Sequence, residues 1–590
     1  MMNQILEIHI TDWIVLIIYF AAVLYLGVYL GNKRTKTLGD FFVAGGNWGA
    51  LVSFIFVFAS AIAGNEAVVV SGKAYTSGIS GVWYFWGFLF ATPIYYLFST
   101  YYKRARIYNL AEFLSMRFGR PVAALYALTA GIICILFIGM FMLAIGKILA
   151  GVTGIDLWMC IWVTSIIVGA YVFSGGMMSA LLTDLMQGVL CLIVLGFIFP
   201  PFLWNAAGGY EALLSAPKET WEFTSEGMPL SKVMALNFSA IAGGIAAPWI
   251  FNWISISKNE KAATQTGWGH LWKRILTLVF AFYGILFALY INKHGIELPI
   301  DPLSGKPDGE MAWGIVMKRI LPGGVGLIGL LIASFFAAAM SSADTFATTS
   351  SAMFVDFFYR KVLNIGKKLK HYLYLSKFCA VLSIIIGAVS TLFITSIADY
   401  ITIAMSLLSF SGIPIYFSLI TKKSNKTGVW LSLMAGIISY VIILSSPYGE
   451  GELFASKDIA FVWGIFLPTF LSIIGMLIGI RFGKPDDEII TKRFHLILNT
   501  PIGDEKRLVD TGIVLPALID NGLISEGMEE KIDILKLNQY YEIDCQDKIF
   551  NNLEIRREPS LPWYYPGFLK ITFCCFALIG LTWLLRFLFI

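Results

Sequence analysis

Apolar runs of about 20 residues, the length that crosses ~30 Å of hydrocarbon as a helix, recur from Asp12 to the C-terminal end of the chain. About fourteen can be read by this criterion, over 12–31, 49–71, 79–101, 122–150, 156–174, 180–204, 233–257, 274–293, 324–355, 372–396, 398–420, 428–447, 458–481 and 565–589. The runs are continuous rather than alternating, which predicts helices and not the strands of a barrel. The first has no basic stretch ahead of it and no small-residue cleavage site after it, so it reads as a retained helix and not a signal peptide.

Two runs carry an irregularity. The second reads Ala59-Ser60-Ala61-Ile62-Ala63-Gly64-Asn65-Glu66 and the seventh Ser239-Ala240-Ile241-Ala242-Gly243-Gly244-Ile245-Ala246-Ala247-Pro248, with the letters SAIAG in both. Glycine and proline weaken a helix, and polar residues stand here near mid-membrane, so both segments are expected to be broken helices. Small residues also serve close helix packing, a blander role. If the first helix is peripheral, the two open successive five-helix halves, helices two to six and seven to eleven. Interrupted helices at corresponding places in two halves point to a secondary-transporter site at the midplane.

Composition and charge sharpen this picture. With 57% of its 590 residues apolar and 14% charged, the chain cannot hide its oil in a soluble fold. Placing the N-terminus outside puts twenty-one basic residues in cytoplasmic loops, Lys258, Lys261, Lys273 and Arg274 among them, against seven outside. That choice satisfies the positive-inside rule, and an even helix count then puts the C-terminus outside too. The net charge of +5 is thus a topology signal and not evidence for nucleic acid. Seven cysteines without CxxC spacing predict neither disulfides nor a metal cluster. No HExxH, Walker motif or GxSxG with triad partners is present, so neither hydrolysis nor ATP-driven pumping finds support, and the protein is read as no enzyme. Lys103 to Arg120 is expected to form an amphipathic helix on the inner surface, with Leu110, Phe113, Leu114 and Phe118 on one side. The charged stretch Gly483 to Pro562 reads as a loosely folded linker more readily than as a small docking domain.

The candidate chemistry lies in the ninth run, Met340-Ser341-Ser342-Ala343-Asp344-Thr345. Hydroxyls and a carboxylate at membrane depth are hard oxygen ligands of the kind sodium prefers, and residues three or four apart share a helix face. A serine in such a helix often only bonds back to a carbonyl one turn earlier. A lone carboxylate in hydrocarbon, by contrast, costs at least ~2.5 kcal/mol, so Asp344 must face the bundle interior, a cavity or an ion. Asp184 and Glu66 are two further such acids.

These residues, taken in order, resemble the sodium:solute symporter family. Asp40-Phe41-Phe42-Val43-Ala44-Gly45-Gly46 is similar to its D-Y-F-L-A-G-R stretch, and Ser71-Gly72-Lys73-Ala74-Tyr75 follows the first broken helix. Asn109-Leu110-Ala111-Glu112-Phe113-Leu114 with Arg117-Phe118-Gly119 is similar to T-L-P-E-F-L-x-x-R-F-G. Gly175-Gly176-Met177, Thr183-Asp184 with Gln187, and the Ser341 to Thr345 block complete the likeness.

The resemblance implies an all-α integral membrane protein, a leucine-transporter-like 5+5 inverted-repeat bundle within about fourteen transmembrane helices. It divides the chain into a peripheral helix and loop (1–48), two five-helix repeats (49–206 and 207–420) and two peripheral helices (421–482). A cytoplasmic loop region (483–562) and a last transmembrane helix (563–590) come after these. It implies Na+ as coupling ion, bound by carbonyls of Ala59, Ile62 and Ala338 and hydroxyls of Ser341 and Ser342, with Asp184 as charge partner. A second sodium one turn along would draw on Asp184, Ser341, Asp344 and Thr345, giving two ions per cycle. The positions that bind hydroxyls in sugar-carrying relatives are here Ala61, Ala63, Phe85 and Ala398, which would leave a sugar unpaired at ~1–3 kcal/mol per lost hydrogen bond. What remains is Asn65, Glu66, Phe85, Trp249, Asn252 and Trp253, suited to a compact, partly apolar solute such as an amino acid, with Trp faces for a cationic group. The expectation is sodium-coupled import by alternating access. A sugar or polyol symporter, or an uncoupled channel or sensor on the same bundle, are the alternatives.

Overall fold

The two SAIAG runs break where their sequences weaken them. In the computed structural model, which describes residues 8–588 except 63, 302–304, 364–365, 448–453, 455, 526–527 and 545–563, the first helix of the bundle is α1, Ile10–Leu24. The second run is α2, Ala50–Ala61, then, after Ile62, α3, Gly64–Ser77, with a 49° bend between α2 and the stretch that α3 begins. Next come α4 (Thr92–Ala105), α5 (Leu110–Phe118), α6 (Arg120–Thr153), α7 (Leu157–Phe173) and α8 (Gly176–Ala207). The seventh run is α9, Leu230–Gly244, bent by 53° into α10, Pro248–Ser255. The chain continues through α11 (Gln265–His294), α12 (Leu327–Ser351), α13 (Leu369–Ser390), α14 (Ile397–Ile420), α15 (Lys426–Ser445) and α16 (Lys457–Phe482). Last are α17 (Glu488–Asn499), α18 (Ile534–Asp544) and α19 (Tyr564–Leu585).

Among the described residues ten helices are long and apolar enough to cross a membrane, or twelve if each bent pair is one span. The two apolar runs that drop out have local causes. Residues 79–101 form short helical turns over 78–82, 83–86 and 87–89 before α4, in a segment punctuated by Gly78, Gly81, Gly87 and Pro93. Run 156–174 yields only the shorter α7, because Gly176 takes φ 60°, ψ −157° and turns the chain back. Tyr171 and Thr183 consequently touch through their hydroxyls, although twelve residues of straight helix would part them by ~18 Å.

Helix α12 is the centre of the bundle, flanked by α6, α8 and α13, with α2 and α3 across its middle. Helix α11 packs along α2 and α3, and α9 packs on α14. Small residues let these helices meet backbone to backbone. A Cβ on Gly412 of α14 would lie 1.9 Å from the Ala242 carbonyl oxygen of α9, and one on Gly243 would lie 2.6 Å from the Leu408 backbone. The carbonyls freed at the α9–α10 break are taken up inside the protein, as hydrocarbon requires. Tyr126 donates to the Ala246 oxygen at 2.6 Å and Tyr102 to that of Ile245.

One face of the bundle carries a cap that the linker expectation does not foresee. Helices α17 and α18 and the short turns between them close a small core of Leu496, Ile497, Leu508, Ile513, Leu515, Leu518 and Leu537, against which Met116 of α5 packs. The helix expected over 103–120 is broken at Arg106, whose φ is 56°, and is not a surface element. Leu110, Phe113, Leu114 and Phe118 are buried beneath the cap, because three arginines of this segment serve as its anchors. Arg106 pairs with Glu505 at 2.9 Å and donates to the Pro501 oxygen at 2.7 Å. Arg117 meets Asp486 at 3.0 Å, and Arg104 bridges Glu260 (2.9 Å) and the Leu498 oxygen (3.3 Å). Burial pushes the Glu505 carboxyl up, but the Gly503 N–H and the Arg106 guanidinium outweigh it and hold it below its ordinary value.

Candidate functional site

The centre of the molecule is built around the end of α2. Ile62 leaves the helix at φ −79°, ψ 77°, and its N–H turns back to the Ala59 oxygen at 2.9 Å. The hydroxyl of Ser342 on α12 lies 3.3 Å from the Ser60 oxygen and 3.2 Å from the Ala338 oxygen, while Ser341 donates to the same Ala338 oxygen at 3.1 Å. Helix α8 closes the third side. A Cβ on Gly188 would fall 2.2 Å from that of Ala59, so only glycine lets α8 come this close. The approach brings Asp184, one turn away, onto the hydroxyl of Ser60, which donates to Asp184 Oδ2. The other oxygen, Oδ1, is buried with no hydrogen-bond partner among the described residues.

One turn further along α12, Asp344 is equally enclosed. Its Oδ2 accepts from Tyr171 at 2.9 Å and its Oδ1 from the Thr345 N–H at 2.6 Å, while Thr345 Oγ1 lies 3.5 Å from the Ser341 oxygen. Tyr171 also meets Thr183, which stands on α8 beside Asp184. Two carboxylates thus face each other across an α8–α12 seam, and among the described residues no lysine, arginine or histidine forms an ion pair with either. Gln187 Oε1, on the same face of α8, is a further buried acceptor without a donor among the described residues. An arrangement with more oxygen acceptors than donors, and with no cationic side chain paired to either carboxylate among the described residues, has the chemistry to accept small cations.

Beside these oxygens lies a small, partly open cavity of about 50 Å³, with Ser60, Ala61, Asn65 and Ser342 in its lining. Phe85, Phe137, Trp249, Trp253 and Phe346 supply most of its apolar wall, Trp249 stacking on Phe346 with ring centres 4.7 Å apart. Tyr95 of α4 and His270, Lys273 and Arg274 of α11 also line it.

The structure therefore brings together Ala59, Ile62, Ala338, Ser341, Ser342 and Asp184 in one place and Asp344 and Thr345 one turn away. Of the residues expected around the solute, Ala61, Asn65, Phe85, Trp249 and Trp253 line the cavity. Two are turned aside. Glu66 pairs with Lys273 and accepts from Thr277, and Asn252 donates to Thr349 Oγ1 on α12, which spends the polar group of each within the protein. Ala63 lies outside the described residues, and Ala398 is buried at the start of α14, off the cavity wall.

Sequence reasoning missed Ser60 and the basic group. Ser60 lay in view within the SAIAG repeat. The apolar run starts at 274 and so places Lys273 and Arg274 at a loop, whereas α11 begins at Gln265 and buries both, with side chains no more than 3% exposed. The signal that could have found them is amphipathic spacing: His270, Lys273, Arg274 and Thr277 recur at three- and four-residue intervals and share one helix face.

The family model described as the sodium:solute symporter family matches residues 41–436. The curated symporter YwcA of Bacillus subtilis (strain 168), itself uncharacterised, is 20% identical over 432 residues, covering 71% of this chain and 82% of its own. A solved structure of a Na+-coupled sialic acid symporter, in a substrate-bound outward-open state, superposes with a TM-score of 0.65 at 20% identity, covering 81% of this chain and 99% of that one. At that identity the likeness shows the fold alone, which is the fold of leucine-transporter-type carriers.

Proposed function

Because the chain belongs to the sodium:solute symporter family and is a multi-pass membrane protein, we propose that it imports a small organic solute by sodium-coupled symport. The observation that carries this reading is the oxygen cluster at the α2 break, where the Ser341 and Ser342 hydroxyls meet the Ser60 and Ala338 carbonyls. We assign the Ala59 and Ile62 carbonyls, at the same break, to this cluster as well, and Asp184, bonded to Ser60, adds a charge. These are hard, uncharged or anionic oxygen donors on unwound and intact helix, the combination that substitutes for the hydration of a bare monovalent cation. Asp344 and Thr345, sharing the α8–α12 seam, support a second sodium in the same cycle. Two unpaired carboxylates there would each cost at least ~2.5 kcal/mol without cations.

The cage and the cavity share Ser60 and Ser342. A cation that draws these groups together shapes the solute wall, and by linkage the solute must raise sodium affinity by the factor that sodium raises its own. The cavity, at about 50 Å³, is far below the ~300 Å³ or more of an occupied ligand pocket, so solute entry requires the α9–α10 segment or the Phe85 region to move. We place the capped face in the cytoplasm, with both termini outside. The basic residues Lys33, Arg34, Lys258, Lys261, Lys422 and Lys423 then obey the positive-inside rule. Inward passage of each uncompensated charge gains ~2.3 kcal/mol per 100 mV, enough for roughly fifty-fold accumulation.

The test is accumulation in proteoliposomes. An inward sodium gradient should drive solute above its equilibrium level, and dissipating the gradient should release it. Accumulation that proceeds in choline buffer on a proton gradient alone, or mere equilibration, would sink sodium coupling.

A further inference from the structure

The basic residues of the cavity wall carry more charge than the protein neutralises. Lys273 and Arg274 face one carboxylate, Glu66, which pairs with Lys273 and stands 3.8 Å from Arg274. His270 does not alter the balance. Its Nε2 faces the Arg274 guanidinium, which can only donate, so Nε2 accepts and the Nδ1–H is given to Thr92 at 2.8 Å, the arrangement of a neutral ring. One positive charge is left in excess beside an apolar cavity.

The same wall holds unused donors. Arg274 Nε–H, Tyr95 O–H and Trp253 Nε1–H are all buried, belong to residues of the cavity lining, and have no hydrogen-bond partner among the described residues. They belong to one cluster: the Tyr95 and Trp253 rings stand 5.0 and 6.3 Å from that of His270, whose other neighbour is Arg274. The rest of the Arg274 guanidinium is committed, to the Phe85 oxygen at 2.9 Å and to His270. A buried donor left unmade costs ~1–3 kcal/mol, and three in one place with a surplus charge are the imprint of a missing anion.

We propose that the solute is a compact organic monocarboxylate whose carboxylate seats on Arg274, Tyr95 and Trp253 and whose apolar body lies against the packed rings of Phe137, Trp249 and Phe346. The assignment rests on the symport reading and names its substrate class. A carboxylate has lone pairs for all three donors and cancels the excess charge, and charge-assisted bonds of this kind are the strong ones. An ammonium on the Trp faces would meet the surplus charge of Arg274 with its own. A sugar offers no charge to cancel it.

The experiment measures thermal shifts of the full-length purified protein in sodium buffer. Propionate and phenylacetate are set against their neutral isosteres, propionamide and phenylacetamide, and against L-alanine and L-phenylalanine. The carboxylates should raise the Tm and the amides should not. Arg274→Gln should abolish the shift, but it also strips the Phe85 and His270 contacts, so Tyr95→Phe carries the weight: its hydroxyl has no partner to lose, and the apparent Kd should rise roughly ten-fold. Amides matching their acids, neither carboxylate shifting the Tm, or an unchanged Kd in Y95F would overturn the assignment. Repeating the titration in choline separates the two readings. Carboxylate binding indifferent to sodium removes the coupling and leaves the anion site, whereas sodium stabilisation that only neutral solutes enhance removes the anion site and leaves the coupling.

Discussion

Replacing Ser342 by Ala removes one hydroxyl from between the Ser60 and Ala338 carbonyls and leaves the apolar packing of α12 untouched. Sodium-dependent stabilisation should weaken about ten-fold, roughly 1.4 kcal/mol for one hydrogen-bonding ligand, while the Tm without sodium stays near that of the parent. A sodium titration by thermal shift checks both halves, and equal sodium affinity would remove Ser342 from the cage. Asp344→Ala tests the second ion. If two sodium ions accompany a monocarboxylate, one net positive charge enters per cycle, and the variant should become electroneutral; an unaltered charge-to-solute ratio in proteoliposomes would dismiss that ion. At this scale the oxygens of α12 were legible in the sequence, because an apolar run keeps a carboxylate and its neighbouring hydroxyls only where an ion, a cavity or a partner receives them. Glu66 and Asn252 misled for the complementary reason. Their residue type was right for a ligand, but Lys273 and Thr349 claim them, and such claims depend on which helices pack together.

The broken helices are the element on which the site depends, and what positions them is the close approach of α8 to α2. Gly188→Ala would set a Cβ 2.2 Å from that of Ala59. Overpacking of this kind costs ~1–3 kcal/mol. The substitution should lower the Tm and, by shifting Asp184 away from Ser60, weaken sodium binding by more than Ser342→Ala does; a variant with parental sodium affinity would show that the contact is not what holds the cage together. Both breaks could be read from composition, since glycine and proline act locally. The start of α11 could not. Its first three turns are too polar to register as a span, and they are tolerated because their polar side chains, His270, Lys273 and Arg274, face the bundle interior while Trp272 and Ile275 face outward. The fragmented 78–89 segment escaped for a related reason: its hydropathy suits a helix, but its glycines do not.

At the scale of the whole molecule the bundle and its cap are held together by buried arginines. Arg117→Ala would strand Asp486, whose side chain is 4% exposed, without its partner, and breaking a buried pair this way costs ~3–5 kcal/mol. Hydrogen exchange over 488–524 should then accelerate while the amides of α12 keep their protection; uniform acceleration would mean that cap and bundle unfold as one. The cap was illegible because its core is a handful of aliphatic side chains scattered over short helices and completed by Met116 from elsewhere in the chain. The bundle is legible at the level of fold class because membrane spans write themselves in hydropathy, and the family match over 41–436 agrees with that reading. Contact between Gly243 and Leu408, and between Gly412 and Ala242, leaves α9 and α14 no clearance in which to slide. Backbones seated on one another can tilt as a single beam, so any motion of α9 that admits the solute must carry both. Spin labels at the exposed Met234 and Ile420 should report one unchanging separation with sodium, with solute and with neither, like two marks on the same lever.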